Sequence, residues 1–124
     1  MNDEICAIVT GGGRNIGQAI ALRLQQDGFR VFVLDVVEPE VESLRADAAL
    51  VDLLVVEAAR AAVGKIVADH KVTCLVNNVG LVAPAPLEEV KLEDFERLMN
   101  LNLRTAIICA QIVVPEMKRH GGGR

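Results

Sequence analysis

The stretch Ile5-Cys6-Ala7-Ile8-Val9-Thr10-Gly11-Gly12-Gly13-Arg14-Asn15-Ile16-Gly17 decides the fold of this chain. Ile5 to Val9 is a short apolar run with β-branched side chains, the pattern of a strand buried on both faces of a parallel sheet. Thr10 closes it. After the glycines, Ile16, Ala19, Ile20 and Leu24 repeat at the three-and-four spacing of a helix, with Gln18, Arg23 and Gln25 facing outward. A strand, a glycine turn and a helix start therefore follow one another. Glycine lets the backbone approach a bound group where any Cβ would intrude, and amides at a helix N-terminus favour an anion such as a pyrophosphate. A tight turn with no ligand would use the same residues. The G-x-G-x-x-G pattern is not met, because Ile16 stands where its last glycine falls when counting starts at Gly11.

Working outward, Asp27-Gly28 stops the helix, and Arg30 to Leu34 reads as a second strand. It ends at Asp35, 18 residues after Gly17, near the spacing at which an acid meets a ribose hydroxyl. The polar segment Pro39 to Asp47 holds one short helix with Val41 and Leu44 on one side. Ala48 to Val51 reads as a third strand closed by Asp52. Val56 to His70 reads as a helix with Ala59, Val63, Ile66 and Val67 in one stripe. Thr73 to Val76 is the fourth strand, and Asn77-Asn78-Val79-Gly80 suits a turn in which side-chain amides bond the backbone. Pro84 and Pro86 keep the next segment extended.

A long helix begins at Leu92, with Phe95, Leu98, Met99, Ala106, Ala110 and Val113 on or near one face. Asn102 falls on that same face. An amide inside an apolar stripe must be hydrogen-bonded or cost about 1–3 kcal/mol, so it is either a tether or part of a site. Pro115 perturbs the helix near its end, and His120 to Arg124 reads as a turn.

Strands alternating with helices predict an α/β fold of right-handed parallel crossovers, a Rossmann-like three-layer α/β/α domain over residues 1–124. If the chain returns after strand three to lay strand four beside strand one, the order is 3-2-1-4. A crevice then opens between strands one and four at their C-terminal ends, where ligands bind in open α/β sheets. The loops carrying Gly11 to Gly17, Asp35, Asp52 and Asn77 to Gly80 would meet there.

Composition narrows the function. The chain of 124 residues is 52% apolar and 24% charged, enough for a real core. Its net charge of -4 offers no footprint for nucleic acid or an anionic membrane. No apolar run approaches the roughly 20 residues that span a bilayer, and the expected location is cytoplasmic. Cys6, Cys74 and Cys109 are odd in number and set among apolar neighbours, which reads as reduced core residues rather than disulfides or metal ligands. His70 and His120 read as solvated residues at element ends, so no metal is expected. The chain contains no Tyr or Trp, and Ser43 is its single serine.

These residues resemble the short-chain dehydrogenase/reductase family along the whole chain. The family's Thr-Gly-x-x-x-Gly-x-Gly signature is matched by Thr10, Gly11, Gly12, Gly13, Arg14, Asn15, Ile16 and Gly17, with Asn15 in place of the middle glycine. Asp52-Leu53 resembles the family's adenine-contacting acid after strand three, and Asn77-Asn78-Val79-Gly80 its Asn-Asn-Ala-Gly turn. Leu101-Asn102-Leu103 resembles the segment carrying the asparagine of the catalytic tetrad. The resemblance implies a dinucleotide held by Thr10, Gly11, Gly13 to Gly17, Asp35, Asp52, Leu53 and Asn78 to Gly80, with Asn102 as the single tetrad residue present. Asp35 followed by Val36 favours NAD over NADP, because a carboxylate beside the ribose repels an added phosphate, whereas Arg14 pulls the other way.

Members of that family run to about twice this length and carry a catalytic Ser and Tyr-x-x-x-Lys after a fifth strand. The resemblance therefore implies the cofactor-binding half of an oxidoreductase that moves hydride between NAD(H) and an alcohol or carbonyl compound. A substrate of that kind is expected in a full-length context, and Leu81 to Pro86 would line one wall of its pocket. A non-catalytic nucleotide-sensing or interaction module is the alternative reading. Self-association is expected through the edge of strand four or through Ile107, Ile108 and Ile112 of the last helix.

Overall fold

The computed structural model describes residues 3–124. Strands β1 (Ile5–Thr10), β2 (Arg30–Asp35), β3 (Ala48–Leu50) and β4 (Lys71–Val76) form one parallel sheet in the order β3-β2-β1-β4. The expected order is therefore the observed one. Helix α1 (Asn15–Gln26) links β1 to β2, and α2 (Val56–Asp69) links β3 to β4. After β4 the chain runs extended to a short 3-10 turn at Leu87–Glu89. One continuous helix follows from Leu92 to Arg119. It divides into α3 (Leu92–Met99), a π-helical turn (Asn100–Arg104) and α4 (Thr105–Arg119).

The period-two rule explains how β1 serves two cores at once. Cys6 and Ile8 point to the side covered by α2 and α4, where Phe32, Leu34, Val63, Val72, Ile108 and Val113 meet them. Ala7 and Val9 point to the other side, against Ala21 of α1, Val31, Val33 and Leu44. Fully burying one such aliphatic side chain stabilises the fold by roughly 1.5–3 kcal/mol, so continuously apolar strands are what a two-sided sheet requires.

Several details depart from the sequence reading. β4 starts two residues earlier, at Lys71, because Ile5 pairs with Lys71 and Cys6 with Val72. The register then shifts between Cys6 and Ala7, leaving Thr73 as the extra residue of a bulge. In α1 the packed positions are Gly17 and Ala21, whereas Ile16 is exposed. Gly17 lies so close to the Gly11 carbonyl and the Asn78 amide that it, rather than Ile16, is on the face of the helix turned inward. The short helix within Pro39–Asp47 is a single 3-10 turn, Glu42–Leu44, with Leu44 buried and Val41 packed against it.

The largest correction concerns the last helix. Its buried face is Thr105, Ile108, Cys109, Val113 and Met117, while Phe95 and Met99 stay exposed. The π turn adds residues to one turn and rotates everything after it, so the buried stripe before Asn100 and after Arg104 cannot be projected from one 3.6-residue period. Ile108, expected on the outer surface, is buried for this reason, whereas Ile107 is exposed and Ile112 half-buried. The helix Leu92–Arg119 also contains an apolar window long enough to cross a bilayer, which reading run by run overlooked. Its apolar content is explained on one side by packing against α2 and β4.

The edge of β4 differs as well. Gly121 and Gly122 adopt φ of 95° and 147°, a conformation that favours glycine, and swing the chain back to the sheet. The Arg124 N–H donates to the Thr73 carbonyl at 2.9 Å, and the Leu75 N–H donates to the Arg124 carbonyl at 2.8 Å. That edge, expected to be open, is thus bonded at Thr73 and Leu75.

Candidate functional site

A crevice of about 480 Å³ opens at the C-terminal ends of the strands. It is lined by Gly11, Arg14, Asn15, Ile16 and Gly17 from the turn after β1, and by Asp35 at the end of β2. Asp52 and Leu53 after β3, and Asn78, Val79 and Gly80 after β4, complete its floor. Of the expected dinucleotide-site residues, Thr10 and Gly13 are not on the wall. Both work behind it.

Thr10 is fully buried at the end of β1. Its hydroxyl accepts from the N–H groups of Asn78 and Val79, each at 3.1 Å. The Asn78 side-chain amide returns two bonds, donating to the carbonyls of Thr10 at 3.1 Å and Gly11 at 3.2 Å. The turn after β4 is thereby fastened to the turn after β1. Gly11 has φ of 68°, and a Cβ there would lie 2.9 Å from the Val79 backbone. At Gly17 a Cβ would overlap the Gly11 carbonyl and the Asn78 amide. These two glycines are therefore required by the packing of the two turns, independently of any ligand.

The residue in place of the family's middle glycine, Asn15, has φ of 51°. Asn is among the few side chains that tolerate this left-handed conformation, so the backbone path a glycine would take is preserved. Its side chain does not cap the helix: the N-cap position is Arg14, with no side-chain capping bond. The first bond of the helix runs from the Gln18 N–H to the Arg14 carbonyl at 3.1 Å. The amides of the first turn thus have no intrahelical acceptor and are directed at the crevice, where they favour an anion.

Asp35 is buried and tied to the glycine turn. One carboxylate oxygen accepts from the Gly13 N–H at 2.9 Å, and the other accepts from the Val36 N–H at 2.7 Å. The oxygen facing Val36 also accepts from the Val37 N–H at 3.4 Å, so the oxygen bonded to Gly13 is the one that retains a second acceptor position for a hydroxyl donor. Asp52 holds its own turn by accepting from the Leu54 N–H at 3.0 Å. Arg104 of the π turn donates to the Leu54 carbonyl at 2.7 Å, fixing the loop after β3 from the helix side.

Asn102 is a tether. Its Oδ1 accepts from the Leu81 N–H and its Nδ2 donates to the Leu81 carbonyl, both at 2.9 Å. This pairing resembles one rung of a strand ladder and resolves the choice left open by the sequence as far as hydrogen bonding goes. The amide is exposed rather than embedded in an apolar stripe, and it flanks Gly80, where a Cβ would lie 3.0 Å from Oδ1. Asn102 itself does not line the crevice, whereas its neighbour Leu101 does. Of the Leu81 to Pro86 segment expected on a pocket wall, Leu81 lines the crevice; Arg97 and Leu54 also line it and were not singled out from the sequence. Arg97 is one helical turn before Leu101, so the helix period would have found it once Leu101 was known to face the crevice.

A parallel sheet in the order β3-β2-β1-β4, with a glycine turn at the point where the order reverses, defines the nucleotide-fold class of α/β proteins. The chain belongs to the short-chain dehydrogenase family, whose model matches residues 5–124. It is 32% identical to the D-xylose 1-dehydrogenase of Caulobacter vibrioides over 94% of this chain and 49% of that protein. The chain thus spans about half the length of the curated relatives it matches. Among solved structures, the aldohexose dehydrogenase of Thermoplasma acidophilum in ligand-free form superposes with a TM-score of 0.85 at 26% identity, covering 95% of this chain and 46% of that one. A blue fluorescent protein from a metagenomic library, solved in complex with NADPH, superposes with a TM-score of 0.76 at 30% identity, covering 92% of this chain and 51% of that one.

Proposed function

We propose that this chain forms the NAD(H)-binding half of a short-chain oxidoreductase acting on an alcohol or carbonyl compound. The observation that carries the reading is the convergence of four separate turns, at Gly11–Gly17, Asp35, Asp52–Leu53 and Asn78–Gly80, on a single crevice. The residues fit a dinucleotide. Gly11 and Gly17 bring the backbone to the crevice floor, the first turn of α1 offers amides to a pyrophosphate, and Asp35 offers an acceptor position to a ribose. Asp52 and Leu53 would border the adenine. When bound, the dinucleotide supplies the hydride.

Asp35 favours NAD(H), since its buried carboxylate opposes a phosphate on the ribose more strongly than the exposed Arg14 attracts one. Asn102 would contribute by holding Leu81 and the adjoining helix turn in place. The chain has no tyrosine, and Ser43 donates to the Gln25 side chain at 2.8 Å, at the far end of α1 from the glycine turn. These residues therefore include no tyrosine acid to protonate a carbonyl, and no turnover is expected from them alone.

Titration of NADH and NADPH into the purified chain, followed by nicotinamide fluorescence, tests the reading. Saturable binding with NADH tighter than NADPH is expected, and Asp35→Ala should narrow or reverse that preference. Absence of saturable binding of either nucleotide would overturn the reading, and a preference for NADPH in the unaltered chain would overturn its NAD part.

A further inference from the structure

The last helix runs back along the sheet, from the crevice to the opposite end of the strands. Arg97 and Leu101 near its start line the crevice, whereas His120 at its end borders a cavity shared with Glu4, just ahead of β1. Its π turn is fastened to the loop after β3. Arg104 donates to the Leu54 carbonyl at 2.7 Å, the Thr105 hydroxyl shares its proton between the Leu53 and Asn100 carbonyls at 3.3 and 3.2 Å, and Leu101 packs against the same core as Leu53. Arg97 lies one turn before Leu101 and lines the same crevice, so it stands nearer the mouth, on the helix side of the wall that Asp52, Leu53 and Leu54 form.

The Arg97 guanidinium is exposed and uncommitted. Glu93 and Asp94 precede it at the two spacings that form ion pairs along a helix. Neither engages it, and among the described residues Arg97 holds no ion pair and no side-chain hydrogen bond. Arg104, on the same helix, is by contrast spent on holding the loop after β3. The features that suit an anion gather elsewhere: the free amides of the first turn of α1 and Arg14 belong to the turn after β1, and β2 separates β1 from β3.

We propose that Arg97 covers the face of the adenine ring and so holds the adenosine half of the dinucleotide, an inference that rests on the nucleotide reading above. A guanidinium is planar and weakly hydrated, and it is attracted to the face of an aromatic ring. A base beside Asp52 and Leu53 needs a cover on its helix side. The chain has no Tyr or Trp, and none of Phe29, Phe32 and Phe95 lines the crevice, so no aromatic side chain supplies that cover. The planar group that the last helix presents there is Arg97. Its freedom from Glu93 and Asp94 leaves the guanidinium able to lie flat on a ligand without breaking an ion pair first.

Calorimetric titration of the purified chain with NADH, adenosine and reduced nicotinamide mononucleotide tests the proposal. Arg97→Ala should weaken NADH and adenosine by about three- to tenfold and leave the mononucleotide unchanged, and Arg97→Lys should recover only part of the loss, because an ammonium group is not planar. Adenosine carries no phosphate, so its loss separates stacking on the base from pairing with an anion. The melting temperature of the free chain should not move, since the side chain is exposed and unpaired. Arg97→Ala binding NADH as tightly as the parent overturns the contact and leaves the nucleotide reading standing. A loss confined to the phosphate-bearing ligands, or shared equally by the mononucleotide, overturns the placement over adenine. Absence of NADH binding by the unaltered chain overturns the nucleotide reading and this inference with it.

Discussion

The Thr10 hydroxyl accepts hydrogen bonds from the backbone of Asn78 and Val79, and the Asn78 amide donates back to the Thr10 and Gly11 carbonyls. Two residues 68 positions apart thus close one network across the ends of adjacent strands. Removing the hydroxyl strands two backbone amides at a buried position. Thr10→Val should lower stability by about 1–3 kcal/mol, and Thr10→Ser by much less. Combined with Asn78→Ala, the losses should add to less than their sum, because both variants break the same network. Urea unfolding of the two single variants and the double variant measures this.

Two glycines test whether space or ligand contact matters. A Cβ at Gly17 meets the Gly11 carbonyl and the Asn78 amide, whereas nothing lies within 4 Å of one at Gly64 in α2. Gly17→Ala should destabilise by about 1–3 kcal/mol and remove NADH binding. Gly64→Ala should stabilise by about 0.5–1 kcal/mol, since alanine loses less backbone entropy in a helix. Thermal unfolding with and without NADH separates the two.

Asn15 holds a left-handed backbone that a β-branched residue resists. Asn15→Val should cost roughly 1–2 kcal/mol, whereas Asn15→Gly should stay within about 0.5 kcal/mol of the parent. Equal stability of the Val and parent chains in urea would show that the turn does not need φ near 51°.

Burial pushes the Cys109 thiol from its usual 9.0 up to about 11. Burial also raises Cys6 and Cys74. The unfolded chain therefore loses these protons first. The stability they contribute is complete below about pH 9 and is lost as the pH rises through about 11. Melting temperatures across that window should fall, and Cys109→Val should make the fall shallower.

Phe95, Met99, Leu103 and Ile107 follow at four-residue intervals along the last helix and are 50%, 41%, 49% and 48% exposed. Such a stripe recruits a partner surface. The β4 edge contributes less than expected because Arg124 bonds it at Thr73 and Leu75. Light scattering at micromolar concentration should show self-association that Leu103→Glu and Ile107→Glu suppress. A monomeric parent chain would count against it.

What the sequence determined by itself follows from local rules: two-sided apolar strands, a glycine turn, an acid ending β2 and an amide turn after β4. Strand order followed because right-handed parallel crossovers leave few arrangements, and the crevice loops with it. Tertiary structure decided what depends on residues distant in the chain. The π turn around Asn102 rotates the buried face onto Ile108 and Cys109, so the stripe projected from one helical period misplaced Phe95 and Met99. Asn102 finds its partner in Leu81 of the loop after β4, and Arg124 finds its place beside Thr73 on the outer edge of β4, through contacts between segments distant in sequence. Pairing of β1 with β4 sets His70 near Cys6. Periodicity reports which face of an element is apolar, but which residues from different elements meet there is a property of the assembled sheet.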